Sequence, residues 1–121
     1  MAKSEVNEQV KPIIIHDEEA GMDYTLEFNR ESVRFAEARG FDIDDVGKYP
    51  MTKLPELFYY AFRMHHKNIS REKTDRILFD DLGGLPKGAA ERLGALYAAP
   101  FEALSNSDEK KVKNPKVTVE L

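Results

Sequence analysis

Three histidines and a run of carboxylates are the residues of this chain best suited to metal binding or acid–base chemistry. His65 and His66 are adjacent, and neighbours on a helix point about 100° apart. They therefore do not converge on one ion; a helical zinc pair needs i,i+4 spacing. His16 lies far away in the sequence and joins either of them only if the fold brings it there. The stretch Asp42-Ile43-Asp44-Asp45-Val46-Gly47 opens like a calcium loop. Such a loop needs an oxygen ligand at its fifth position and a bidentate glutamate at its twelfth. Here Val46 and Lys53 stand at those places, so the carboxylates are read as turn formers and helix caps. No nucleophile elbow and no GxxxxGK[ST] phosphate loop is present. Gly83-Gly84-Leu85-Pro86-Lys87-Gly88 is glycine-rich but does not follow a strand, and reads as a helix stop followed by a helix start. The expectation is a non-enzyme, with no catalytic, cofactor-binding or metal-ligating residues.

The elements that would position these residues begin with a polar leader, Met1 to Lys11. Ile13-Ile14-Ile15-His16 is a β-branched run that predicts a strand. Turn residues from Asp17 to Met22 separate it from Tyr24, Leu26 and Phe28, which alternate with polar neighbours as in a half-buried strand. Together they predict an N-terminal β-hairpin. Asn29 caps a helix over 30–39, ended by Gly40 in the left-handed conformation. A loop or short turn over 41–47 leads to the best helix of the chain.

That central helix lies within Tyr49 to Lys67, with Thr52 as its N-cap, Pro55 in its first turn and Asn68 at its end. Leu54, Leu57, Phe58, Ala61, Met64 and His65 share one arc. Tyr59 and Tyr60 fall on the opposite, more polar side with Glu56, Arg63 and Lys67. They either cover neighbouring loops with their hydroxyls in water or belong to a protein-binding surface. Ser70 caps a further helix in which Thr74, Ile77, Leu78 and Leu82 share a face, stopped at Gly83-Gly84. Pro86 opens the last helix, whose apolar period runs from Ala89 to Leu104. Pro100 should break it, leaving a short final turn from Phe101 to Leu104. A polar linker over 105–115 ends in Lys116-Val117-Thr118-Val119-Glu120-Leu121, an alternating pattern that predicts a strand. It can pair with the hairpin as a third strand or with another chain.

The fold class expected is therefore α+β: one small, mainly helical domain over 12–104, with about four helices, the hairpin and a C-terminal segment able to supply a third strand. The chain of 121 residues is long enough for a modest core. Its net charge of −4 argues against a protein that binds nucleic acid through phosphate neutralisation. The absence of cysteine excludes disulfides and thiolate metal sites and fits a reducing cytoplasm. No secretory signal and no membrane-spanning run is visible. A helix-turn-helix regulator is the alternative reading of 63–82, with Arg71, Lys73 and Arg76 as DNA contacts. Interleaved Glu72, Asp75, Asp80 and Asp81 blunt the positive field it would need.

The order of motifs carries a resemblance that none of them carries alone. DYTLEFNRESV, then a helix ending ARGFDIDDV, then YPMTKLPELFYYAFRMHHKNISREKTDRIL, then ERLGALYAAPFEAL resembles the tail assembly chaperone-like proteins of siphophages and prophages of Gram-positive bacteria. The resemblance covers Asp23 to Leu104. It implies a mainly helical protein with a small β element, acting in the bacterial host cytoplasm during virion morphogenesis. It further implies that the tape measure protein and major tail tube protein are bound and kept soluble until the tube polymerises. For such a role the candidate partner-binding residues are Tyr59 and Tyr60 on the central helix and Val117, Val119 and Leu121 in the C-terminal segment. Self-association is a further expectation.

Overall fold

The computed structural model describes residues 10–104 and 113–121. The fold is α+β: an antiparallel hairpin packed against a helical body. The hairpin consists of β1 (Ile13–Asp17) and β2 (Met22–Leu26), with Ile13 opposite Leu26 and Ile15 opposite Tyr24. Gly21, at φ +64°, turns the chain between them. Tyr24, Leu26 and Phe28 are buried, as their alternation predicts. Most of the expected leader lies outside the described residues, but Val10 at its end packs against the core.

Helix α1 (Arg30–Ala38) starts at a reciprocal cap. The Asn29 side chain accepts from the Ser32 amide at 2.8 Å, and the Ser32 hydroxyl oxygen accepts from the Asn29 amide at 2.9 Å. It ends where the sequence predicts, at Gly40 with φ +84°. There the Gly40 amide donates to the Glu37 carbonyl and the Phe41 amide to the Ala36 carbonyl, which uses two of the helix's free acceptors and buries Phe41. Replacing Asn29 by alanine is expected to lower stability by about 1 kcal/mol. A shift in the urea midpoint without a change in slope would report it; an unchanged midpoint would mean that the cap is dispensable.

The expected loop after Phe41 contains the short helix α2 (Asp45–Lys48). It leads directly into the central helix, α3 (Pro50–Ala61), which departs from expectation at both ends. Pro50 occupies the first helical position, where a fixed φ and a missing amide suit it, so the helix begins before Thr52. Pro55 consequently sits inside the helix, where the amide it lacks would have bonded to the carbonyl of exposed Met51. At the other end α3 stops at Ala61, short of Lys67. The Ala61 carbonyl accepts from the Glu27 amide of the hairpin at 2.9 Å instead of from its own next turn. The His65 and His66 amides turn back onto the Phe62 carbonyl at 3.2 and 2.7 Å.

Ser70 caps α4 (Arg71–Arg76), its hydroxyl accepting from the Lys73 amide at 3.0 Å. The helix then widens into a π-helical turn over Ile77–Asp81, closed by a bond from the Leu82 amide to the Ile77 carbonyl. Widening breaks the 3.6-residue period. Thr74, Ile77 and Leu78 remain buried, whereas Leu82 and Phe79 are exposed, so Leu82 does not share the buried face. Helix α5 (Ala89–Ala98) starts after Gly88 rather than at Pro86, and buries Leu93, Leu96 and Tyr97. As Pro100 predicts, the regular helix ends there and a 3-10 segment, Ala99–Leu104, follows.

Helix α3 is surrounded by the other elements. Leu57, Phe58 and Ala61 face one side, and Tyr60, also buried, faces the other, against Phe41 and Phe35. A chain of edge-on aromatic contacts, Phe28–Tyr97–Phe41–Tyr60, joins the hairpin, α5, the loop and α3. Burial, reinforced by the Glu37 and Asp42 carboxylates, pushes the Tyr97 phenol up to about 12.

The C-terminal residues do not form the expected third strand. Among the described residues the sheet contains β1 and β2 alone. Val117, Val119 and Leu121 are exposed, and Asn114 holds the preceding residues in a turn through bonds to the Lys116 and Val117 amides. Alternation makes a segment fit for pairing, but a strand also needs a neighbour's open edge.

Candidate functional site

Each histidine has a partner within the fold, and the pair His65-His66 is arranged unlike what a longer helix would give. Because α3 ends early, His65 turns to the surface and pairs with Glu27 at 2.9 Å, while His66 turns inward against Tyr24 and Phe62. The His66 Nε2 accepts the Thr25 amide at 3.0 Å, which requires Nε2 to be unprotonated. Burial, followed by the nearby His65, lowers the His66 pKa. His16 pairs with Asp23 at 2.8 Å on the exposed side of the hairpin, apart from the other two. No group of three metal-ligating side chains converges among the described residues.

This arrangement has a sign that can be tested. A histidine with a lowered pKa binds fewer protons folded than unfolded. Its contribution is intact above about pH 6.5 and is lost as pH falls through the folded value. His66→Gln keeps an acceptor for Thr25 but does not titrate. Its stability is expected to change less than wild type between neutral and mildly acidic pH, measured by urea unfolding. Equal pH slopes would remove His66 from the account.

Of the two tyrosines expected at a binding surface, Tyr60 lies in the core and presents no free face. Tyr59 is half-buried beside it, ring centroids 5.2 Å apart. Nearby, Phe35 takes the guanidinium groups of Arg39 and Arg63 against its ring at 3.7 and 3.8 Å. Arg63 also pairs with Glu31 at 3.3 Å, bridging α1 and the turn after α3. These contacts consolidate the helical packing. Val117, Val119 and Leu121 are exposed and carry no regular structure.

The segment read as a helix-turn-helix does not take that geometry. Residues 62–70 separate α3 from α4, far more than a 3–4-residue turn, and Arg71 is engaged by Asp75 at 2.9 Å.

The surface that sequence reasoning missed is an apolar groove of about 510 Å³ between the start of α3 and the π-helical turn. Pro50, Met51 and Leu54 form one wall, Leu78 and Phe79 the other, and Leu85 and Pro86 close one end. Met51 is 91% exposed and Phe79 56%, and both line this concavity. Exposed apolar side chains gathered at a concave surface mark binding sites more often than scattered ones. Met51 escaped notice because it precedes the expected N-cap. Phe79 escaped because nothing in Ile77-Leu78-Phe79 announces a wider turn. A larger cleft, of about 690 Å³, lies between Val10, the start of α1 and the 3-10 segment. It presents no exposed large apolar side chain.

No helix among the described residues is long and apolar enough to cross a membrane. No curated protein and no solved structure matches the chain. One family model does, that of DUF5055, a domain of unknown function; it matches residues 1–121, and the chain belongs to that family.

Proposed function

We propose that the protein is a non-enzymatic binding protein of the phage tail assembly chaperone type. It would act in the cytoplasm of the bacterial host and hold tape measure or major tail tube subunits soluble during tail morphogenesis. The observation that supports binding is the groove between α3 and the π-helical turn, which leaves Met51 and Phe79 in water. A holdase needs such a surface: adaptable methionine and a flat aromatic ring accept apolar segments of varied shape. The nature of the partner rests on the resemblance over Asp23 to Leu104. Tyr59 remains a second, smaller contact candidate, and Tyr60 does not.

Co-expression tests the reading. A siphophage tape measure protein or tail tube protein is produced with and without the chain, and the soluble fraction is measured. The expected result is a several-fold gain in soluble partner and recovery of a complex. No gain with either partner, at a concentration where the chain itself is folded, overturns the proposal.

A further inference from the structure

The hairpin has one covered edge and one open edge. The amides of Thr25 on β2 and of Glu27 just after it point away from β1, since they donate to His66 and to the Ala61 carbonyl. In an antiparallel ladder the residues opposite such positions also turn their backbone groups outward. Ile14, opposite Thr25, and His16, opposite Asp23, therefore present their N–H and C=O groups at the far edge of β1. Among the described residues nothing pairs with that edge. Beside it lies a groove of about 520 Å³, with Ile15, Ile77 and Leu82 along it and a rim of carboxylates that includes Glu18, Asp80 and Asp81.

We infer that this edge takes the segment Lys116–Leu121 of a second copy of the chain, antiparallel to β1. Charge decides the direction. β1 runs toward the acidic rim, so an antiparallel guest enters with Lys113 and Lys116 against the carboxylates. A parallel guest would bring Glu120 there instead, like charge against like. Side-chain pattern decides the register. With Lys116 opposite Glu18, Val119 stands opposite Ile15 and Leu121 opposite Ile13. Thr118 and Glu120 then meet the outward backbone groups of His16 and Ile14. The apolar guest residues, all exposed on the free chain, extend the half-buried face of β1 over the groove containing exposed Leu82. Donor and acceptor surfaces differ, so the contact is head-to-tail and propagates unless it closes into a ring.

Light scattering on the full chain, over a range of concentrations at low salt, reads the association. Wild type is expected to form dimers and larger species that dissociate as salt is raised. Asp80→Lys with Asp81→Lys, or Lys113→Glu with Lys116→Glu, is expected to raise the dissociation constant about tenfold, and combining all four restores it. A second pair of variants tests the geometry. Ile14→Pro blocks the edge but leaves the tail; removal of 116–121 leaves the edge. Each alone should be monomeric, and their mixture should give a one-to-one heterodimer. Circular dichroism of each variant reports folding. A strictly monomeric wild type, association that survives removal of 116–121, or a mixture that stays monomeric while both variants are folded would overturn the inference.

Discussion

Replacing Phe62 by alanine is expected to lower stability by about 3–5 kcal/mol, the range for deleting a buried aromatic ring. The Phe62 side chain is fully buried and meets Tyr24, Phe58 and His66 with ring centroids 5.5, 5.1 and 6.2 Å apart. Those three belong to the hairpin, to α3 and to the turn after it, so the cavity would open where the β and α parts meet. The flanking backbone also has little room to collapse, because the Phe62 carbonyl holds two amides and the preceding carbonyl holds Glu27. Against a typical total of about 5–15 kcal/mol, the variant would be left marginal. Urea unfolding followed by circular dichroism measures it. Phe79→Ala is the control: its ring is largely in water and its loss should move the midpoint little. A loss below about 1 kcal/mol for Phe62→Ala would mean that the site relaxes and that the hairpin is held by its backbone bonds alone.

Placing aspartate at both Met51 and Phe79 is expected to weaken capture of the tape measure or tail tube partner about a hundredfold or more. Each contact of hot-spot quality carries about 2 kcal/mol or more, and a charge introduced into an apolar contact must also be desolvated. Both side chains are exposed, so circular dichroism and the unfolding midpoint should stay near those of the wild type. Affinity is read by titrating the purified variant against a soluble partner fragment. Tyr59→Ser, made in parallel, tests the neighbouring surface. Should the double aspartate variant bind normally and Tyr59→Ser fail, the site moves from the groove to the half-buried tyrosine.

The features legible in the sequence are those set by near neighbours in the chain. The hairpin, the Asn29 cap, the left-handed Gly40, the Ser70 cap and the break at Pro100 all depend on a few adjacent residues, and all are present. What could not be read depends on contacts across the fold. The end of α3 is set by an amide of the hairpin, Glu27, which takes the Ala61 carbonyl. Because the helix stops there, His65 and His66 exchange the exposures that a continuous helix would give them. Tyr60 lies on the polar side of the helical wheel, yet Phe35 and Phe41 cover that side. A wheel shows which residues share a face, not how many neighbours the helix has. The C-terminal alternation predicts a strand, but whether such a segment pairs depends on a neighbour's open edge. Among the described residues, Lys116 to Leu121 carry no regular structure. The apolar groove arises from a helix that starts early, at Pro50, and a turn that widens, and the widening has no residue signature.

Two amides, one on β2 and one just after it, link the hairpin to the turn after α3 and to the end of α3, the first through a side chain and the second through a carbonyl. These links give the small sheet two unlike sides in time as well as in space. Thr25 and Glu27 occupy what would be a solvent-facing strand edge, where amide protons normally exchange with water quickly. Here their partners, His66 and Ala61, are distant in sequence and sit in a different part of the molecule. Releasing either proton requires the hairpin to part from the helical body, so these amides report opening of the whole domain. On the other edge, Ile14 and His16 in the isolated monomer should exchange orders of magnitude faster. The outward amides of one edge exchange fast and those of the other slowly, and the ratio between them measures how firmly the β part is tied to the helices.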